Sequence, residues 1–366
     1  MIQELLKIMA CPECSGELRL AVERGNLALI ENGSLTCQIC LAVFLIRDDI
    51  PFFKPQVSHA GVRNQQETYS TWWDDYHDEQ SIVDEAHRPF FYNSLRIQAE
   101  EFEGKVVLDG GCGNGRFSYV VSHYRPKLLI SFDISSGLLH AKRTITARCP
   151  EARVAYVQGD LTRPPFKKSV FDIVFSWGVT HHTPDTAQTV STLSSLVRPG
   201  GLMGVYVYEF HPLYGFNRQS LSLLAYLRSL FLIRPLRFFC SRLSARIVQM
   251  IFTPIYYLER FFDFGVVGCH GSAEDKWNRE RYRRVVIDRF KTRYASEHQL
   301  EEVIGWFRQS GFNELRVGSH PKVSVSGVKM PDGSSLPLEI KLYTQGETDP
   351  TVAKYLENDR FWKTGS

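Results

Sequence analysis

The sequence predicts an α/β protein: a parallel sheet flanked by helices, with a small metal-binding module ahead of it. Three observations carry this. From Lys105 onward, apolar runs alternate with helical patterns, as βαβ units do. The first of those runs passes straight into the glycine-rich turn Asp109–Gly115. Ahead of both stand two Cys-x-x-Cys pairs.

Composition bounds the possibilities. A chain of 366 residues has room for one large domain and a small one. With 43% hydrophobic and 23% charged residues it has the makeup of a soluble globular protein. A formal net charge of +3 is too small to argue for nucleic acid by itself. Glu4 and Lys7 interrupt the apolar run Met1–Ala10, so it does not read as a signal peptide, and a reduced, cytoplasmic setting is expected.

In that setting a disulfide framework is a poor reading of the cysteines. Cys11, Cys14, Cys37 and Cys40 have the spacing of a four-thiolate zinc site, two knuckles joined through a hairpin. Four thiolates leave no open position, so the expected Zn2+ is structural. The module is bounded at residues 1–55, with strands read at Glu17–Val22 and Asn26–Glu31. Cys112, Cys149, Cys240 and Cys269 follow no spacing pattern.

Residues 56–104 read as a helical linker or cap, polar and aromatic around Trp72, Trp73 and Tyr76. Residues 105–210 carry the sheet, with strands read at Val106–Asp109, Leu128–Asp133, Val154–Gln158, Ile173–Ser176 and Leu202–Glu209. Asp109 ends the first strand and the turn continues Gly111-Cys112-Gly113-Asn114-Gly115. A dinucleotide fold lays a pyrophosphate on such a turn. An aspartate there suits instead a ligand with a cationic amino group and no phosphate. Asp133, followed by Ile134, ends the next strand, where a carboxylate can accept both ribose hydroxyls of an adenosine. Asp160, between Gly159 and Leu161, ends the third, within reach of an adenine amino group. Any one of these acids could be a solvated strand end; three at successive strand ends point to a site.

These motifs, with FDIVFSWGVTHHTPD and LVRPGG, resemble the class I S-adenosylmethionine-dependent methyltransferases over about Lys105–Phe210 and again over Glu297–Lys329. The resemblance implies a Rossmann-like seven-stranded sheet, S-adenosyl-L-methionine as cofactor, and Ser176, Trp177 and Gly178 in the cofactor wall. Asp288, Phe290, Tyr294, Ser296, His298, Trp306, Phe307, Gly311 and Phe312 reproduce the closing pattern of one methyltransferase subgroup. The N-terminal module, through Phe44–Phe52, resembles the zinc ribbons related to the activator subunit of tRNA and protein methyltransferases.

Methyl transfer requires alignment of the acceptor, and a hydroxyl acceptor also requires a base. His181 and His182, after the fourth strand, are candidate bases, although such a pair can simply shape the loop; His298 and Tyr294 are alternatives. Residues 211–287 form an apolar insert crowded with arginine, including Arg237, Arg242 and Arg246. No run in it reaches a membrane span. It reads as a substrate lid, or else as an interfacial helix on anionic lipid. Residues 288–330 return to the core, and 331–366 give no clear signal. The expected acceptor is a small molecule or glycan, anionic and possibly phosphorylated, in natural-product or cell-surface sugar biosynthesis. RNA held by the ribbon, a lipid or quinone at a membrane surface, and a non-catalytic cofactor-binding scaffold are the alternatives.

Overall fold

A computed structural model describes residues 2–27, 29–53, 60–75, 80–83, 87–209, 231, 234–262, 279–318, 323–331 and 339–342. Much of the insert, Cys269 and most of the C-terminal tail therefore lie outside the described residues.

Five central strands are buried runs, consistent with parallel strands covered on both faces. They are β5 (Val106–Gly110), β6 (Leu128–Asp133), β7 (Val154–Gly159), β8 (Phe171–Trp177) and β9 (Val197–Val207), ordered β7-β6-β5-β8-β9. The order reverses beside β5, which places a crevice at the carboxyl ends of β5 and its neighbours. Beyond β9 the antiparallel β11 (Val323–Lys329) is inserted before β10 (Phe312–Val317). These seven strands match the expected core.

The sheet itself has twelve strands, not seven. β12 (Glu339–Leu342) pairs parallel to β10 at one edge, in a tail whose residue pattern predicts no element. At the other edge stand the ribbon strands β1 (Leu18–Gly25), β2 (Ile30–Cys37), β3 (Val43–Arg47) and β4 (Ile50–Phe53). The second of these lies later than expected, because the chain reverses at Gly25 (φ 96°) and Asn26. β4 runs parallel to β7, with Phe52 opposite Gln158 and Phe53 opposite Gly159. An open edge offers unpaired amides and carbonyls, and the ribbon satisfies those of β7.

Side chains seal the same junction. Helix α1 (Ile2–Ile8) leads to backbone bonds from Ala10 N to Pro165 O (3.0 Å) and from Lys167 N to Ile8 O (2.8 Å). Leu5, Met9, Phe44 and Phe53 from the ribbon share one apolar core with Phe132, Val157 and Phe166. Each such buried side chain contributes about 1.5–3 kcal/mol. The ribbon and the sheet are therefore expected to unfold together.

Helices α2 (Ala60–Asp75), α3 (Gln80–Val83), α4 (His87–Leu95) and α5 (Ala99–Phe102) precede the central strands. α6 (Arg116–Ser122) and α7 (Gly137–Arg148) follow β5 and β6, and α8 (Thr186–Leu196) follows β8. The insert contributes α9 (Arg234–Cys240), α10 (Ala245–Phe262) and α11 (Arg279–Val286), which form a small core of their own around Val248, Phe252, Tyr282 and Phe290. A π-helical turn, Ile287–Lys291, and α12 (Leu300–Gln309) complete the return. The Gln299 and Glu302 capping box starts α12, which ends ahead of Gly311 (φ 82°).

Candidate active site

The glycine turn is shaped by contact rather than by flexibility. Gly111 and Gly113 hold φ of 90° and 54°, a region that disfavours other residues. A Cβ at Gly111 would lie 2.5 Å from Val179, and one at Gly113 would lie 2.5 Å from Trp73. Gly111 N and Cys112 N donate to Phe132 O at 2.7 and 3.0 Å, tying the turn to β6. Asp133 closes the clasp: Oδ2 accepts from Gly113 N (2.7 Å), and Oδ1 from Ser135 N (2.7 Å) and Ser135 Oγ (2.6 Å). Asp160 Oδ1 accepts from Thr162 N and Oγ1, both at 2.8 Å.

A cleft of about 500 Å³, partly open to solvent, lies along these strand ends. Gly111, Asp133, Ile134, Gly159, Asp160, Leu161, Val179 and His182 line its floor and wall. Its roof is Val62, Gln65 and Tyr69 of α2, with Tyr294. α2 is held across the strand ends by Gln66 Nε2 donating to Ile134 O (3.1 Å), Gln65 Nε2 to His182 O (3.0 Å) and Ser136 N to Ser70 Oγ (3.0 Å).

Other expected cofactor residues stand behind this lining. Asp109 is buried beneath the turn, where its Oδ2 accepts from Ser118 Oγ at 2.7 Å. Burial pushes its carboxyl up to about 7, against the pull of the Ser118 hydrogen bond. Cys112 and Asn114 are buried and Gly115 caps α6 at φ 86°. Ser176 Oγ donates to Gly110 O (2.7 Å), bracing the first strand. Trp177 donates to Ser94 Oγ (2.7 Å) and stacks near Tyr206 (4.4 Å), and Gly178 turns at φ 73°. None of the three Ser176–Gly178 residues lines the cleft.

The four candidate catalytic residues separate. His181 is fully buried, and neither ring nitrogen has a hydrogen-bond partner. Burial and the neighbouring His182 hold it well below the ordinary histidine value, so it is neutral. Its ring packs 3.9 Å from that of Tyr208. His182 reaches the cleft. Its Nδ1 donates to Tyr294 O (3.0 Å), which leaves Nε2 basic and 3.6 Å from Asp288 Oδ1. Burial lowers its pKa, opposed by the Asp288 carboxylate. Tyr294 packs its phenol against Gly61 and thereby seats α2. His298 sits apart from the cleft, with Nε2 against Ser296 Oγ (2.8 Å) and Thr186 Oγ1 (3.1 Å).

Asp288 stands between His182 and a second cleft. Its Oδ2 accepts from Tyr208 OH at 2.8 Å, and burial together with Asp288 pushes that phenol well above its ordinary range. Asp288 and Tyr208 line a second cleft of about 640 Å³ with Arg237, Arg289, Ser296 and Glu297. Arg237 is oriented by Arg289 O (2.8 Å) and Ala295 O (2.9 Å). The sequence marked Asp288 only as part of a pattern and attached no role to Gln65, Tyr69, Tyr208 or Asp288. Nothing local reveals them, since they come from three separate segments, α2, the end of β9 and the Ile287–Lys291 turn.

In the ribbon, the ligand sulfurs of Cys11, Cys14, Cys37 and Cys40 lie within 4.8 Å of one another. Cys11–Cys40 and Cys14–Cys37 are 3.6 and 3.4 Å apart, close to the edge of a tetrahedron with Zn–S near about 2.3 Å. Both knuckles close by the same bond: Ser15 N donates to Cys11 O and Leu41 N to Cys37 O. Ser15 and Leu41 both hold φ of 61°. The donors and their spacing fit a structural zinc ion.

Comparison with known proteins agrees with this geometry. Residues 108–205 match the model of the methyltransferase domain family, and residues 3–49 match that of Trm112p-like proteins. The chain thus carries a class I S-adenosylmethionine-dependent methyltransferase domain behind a Trm112p-like zinc ribbon. A tRNA U34 carboxymethyltransferase from Campylobacter curvus is 29% identical over 120 residues, 33% of this chain and 40% of its own. A fatty-acid O-methyltransferase from Mycolicibacterium smegmatis is 34% identical over 112 residues, 30% of this chain and 39% of its own. Among solved structures, one of a complex between the Haloferax volcanii Trm112 methyltransferase activator and a methyltransferase aligns at 18% identity and TM-score 0.29, over 41% of this chain and 61% of that one. The chain spans 30–40% of the length of the first curated relatives it matches.

Proposed function

We propose that this protein transfers the methyl group of S-adenosylmethionine to a small anionic acceptor. The observation that carries the reading is the convergence of Gly111, Asp133, Asp160 and His182 on one roofed cleft at the sheet's carboxyl edge. When bound, the cofactor supplies an electrophilic methyl group. Asp133 and Asp160 offer acceptors to the ribose and adenine, and Asp109, behind the turn, adds negative potential for the ligand's ammonium. α2 excludes water from above. A hydroxyl entering between His182 and Asp288 can give its proton to Nε2, and Asp288 stabilises the imidazolium that forms.

The second cleft supports the acceptor class. Arg237 and Arg289 suit a carboxylate or phosphate. The relatives named for tRNA and fatty acid match this chain over only 40% and 39% of their own lengths, so their acceptors do not choose between readings. Calorimetry with S-adenosylhomocysteine is the first test. Micromolar binding that Asp133→Ala weakens at least tenfold is expected; no binding would return the protein to a scaffold role. Methyl transfer from radiolabelled cofactor to tRNA, with none to anionic small molecules or glycans, would overturn the acceptor class.

A further inference from the structure

The insert helix α10 is apolar on two faces, and among the described residues only one is packed into a core. Val248, Phe252 and Tyr256 recur every four residues and are buried in the insert core. Ile247, Met250, Ile251 and Tyr257 form a second stripe at helical spacing, with Met250 72% exposed. α9 extends it with Phe238 and Phe239, 56% and 64% exposed. A contiguous exposed patch of this kind marks an interaction surface. Its chemistry is also asymmetric. Arg242 and Arg246 are exposed at its margin, and the Arg242 guanidinium lies 3.6 Å over the Phe238 ring.

We propose that this face docks on an anionic phospholipid membrane. Large apolar side chains flanked by arginines match the acyl–headgroup boundary, where the chains enter the apolar layer and the cations meet lipid phosphate. Among the described residues no helix is long and apolar enough to cross a membrane, so the contact is peripheral. A protein partner would equally cover the apolar surface, but the arginine margin selects an anionic one, and a membrane supplies apolar depth and negative charge together.

The face connects to the candidate active site. The inner side of α10 stacks Phe252 on Phe290 at 4.4 Å, two residues from Asp288. Membrane docking therefore presents the second cleft close to the lipid surface, which suits an acceptor with a lipid-borne anionic headgroup. The docking face itself does not depend on which acceptor is methylated.

The test is co-sedimentation of the full chain with vesicles. Binding is expected to phosphatidylglycerol–phosphatidylcholine vesicles and not to pure phosphatidylcholine. Arg246→Gln should weaken it about fivefold, the loss of one cation near the surface. Met250→Asp with Ile251→Asp should abolish it while leaving S-adenosylhomocysteine affinity unchanged, which reports an intact fold and reads the cofactor site separately. No sedimentation with anionic vesicles, or undiminished binding by the double variant, would overturn the proposal. So would light scattering showing a dimer that the double variant converts to monomer, because a second copy would then cover the face.

Discussion

Asp109 offers the sharpest test of how the site is built, because its burial has a calculable consequence in the cofactor-free protein. Its carboxyl rises from 3.8 to about 7 on folding. Between those values the native state holds a proton that the unfolded chain has released, so stability is full below pH 3.8 and falls as pH rises through 7. At about 1.36 kcal/mol per pH unit, the loss is on the order of 4 kcal/mol. Asp109→Asn removes the titration and can still accept the Ser118 hydrogen bond. Urea unfolding of both proteins should give similar stabilities near pH 4. By pH 8 the variant should be more stable by up to about 4 kcal/mol, a midpoint gain of more than about 1 M for a slope near 3 kcal/mol/M. Binding a ligand ammonium nearby should also draw off that proton, so the heat of S-adenosylhomocysteine binding at pH 6 should vary with the buffer. Parallel pH–stability curves for the two proteins would refute the reasoning, since they would mean Asp109 is ionised and solvated in the native state.

Three further outcomes follow from the geometry. Gly113→Ala forces a Cβ towards Trp73 at φ 54°, a backbone cost of about 1–3 kcal/mol, and should change tryptophan emission while lowering S-adenosylhomocysteine affinity; unchanged emission and affinity would mean α2 does not rest on the turn. His182→Phe should lower turnover by about 10²–10⁴ with cofactor affinity retained, whereas His181→Phe, which replaces two unpartnered ring nitrogens, should keep stability and turnover. A normally stable His181→Phe protein without turnover would restore His181 as the base. Stripping zinc with a chelator under reducing conditions should lower the single thermal transition of the whole chain, because the ribbon and sheet share one core; a separate low-temperature ribbon transition would contradict that.

The parts of this protein that were legible in the sequence are those written in adjacent residues. A Cys-x-x-Cys pair holds two ligands at knuckle distance whatever surrounds it, and the second pair closes the same way. A buried strand running into Gly111 and Gly113 needs positive φ locally, and acids at successive strand ends fall on one edge once the strands are parallel. The sequence by itself therefore determined the zinc ribbon, the parallel core and the edge that carries the candidate site. The tertiary structure alone decided the rest. It set His181 in the core and His182 on the cleft, which neighbours of identical type cannot reveal, because burial depends on what packs above them. It drew Tyr69, Tyr208 and Asp288 to one point from segments far apart in the chain. It also joined β4 to β7, making one sheet of what the sequence presents as two modules, since an edge strand's free amides are satisfied by whichever partner the fold brings alongside.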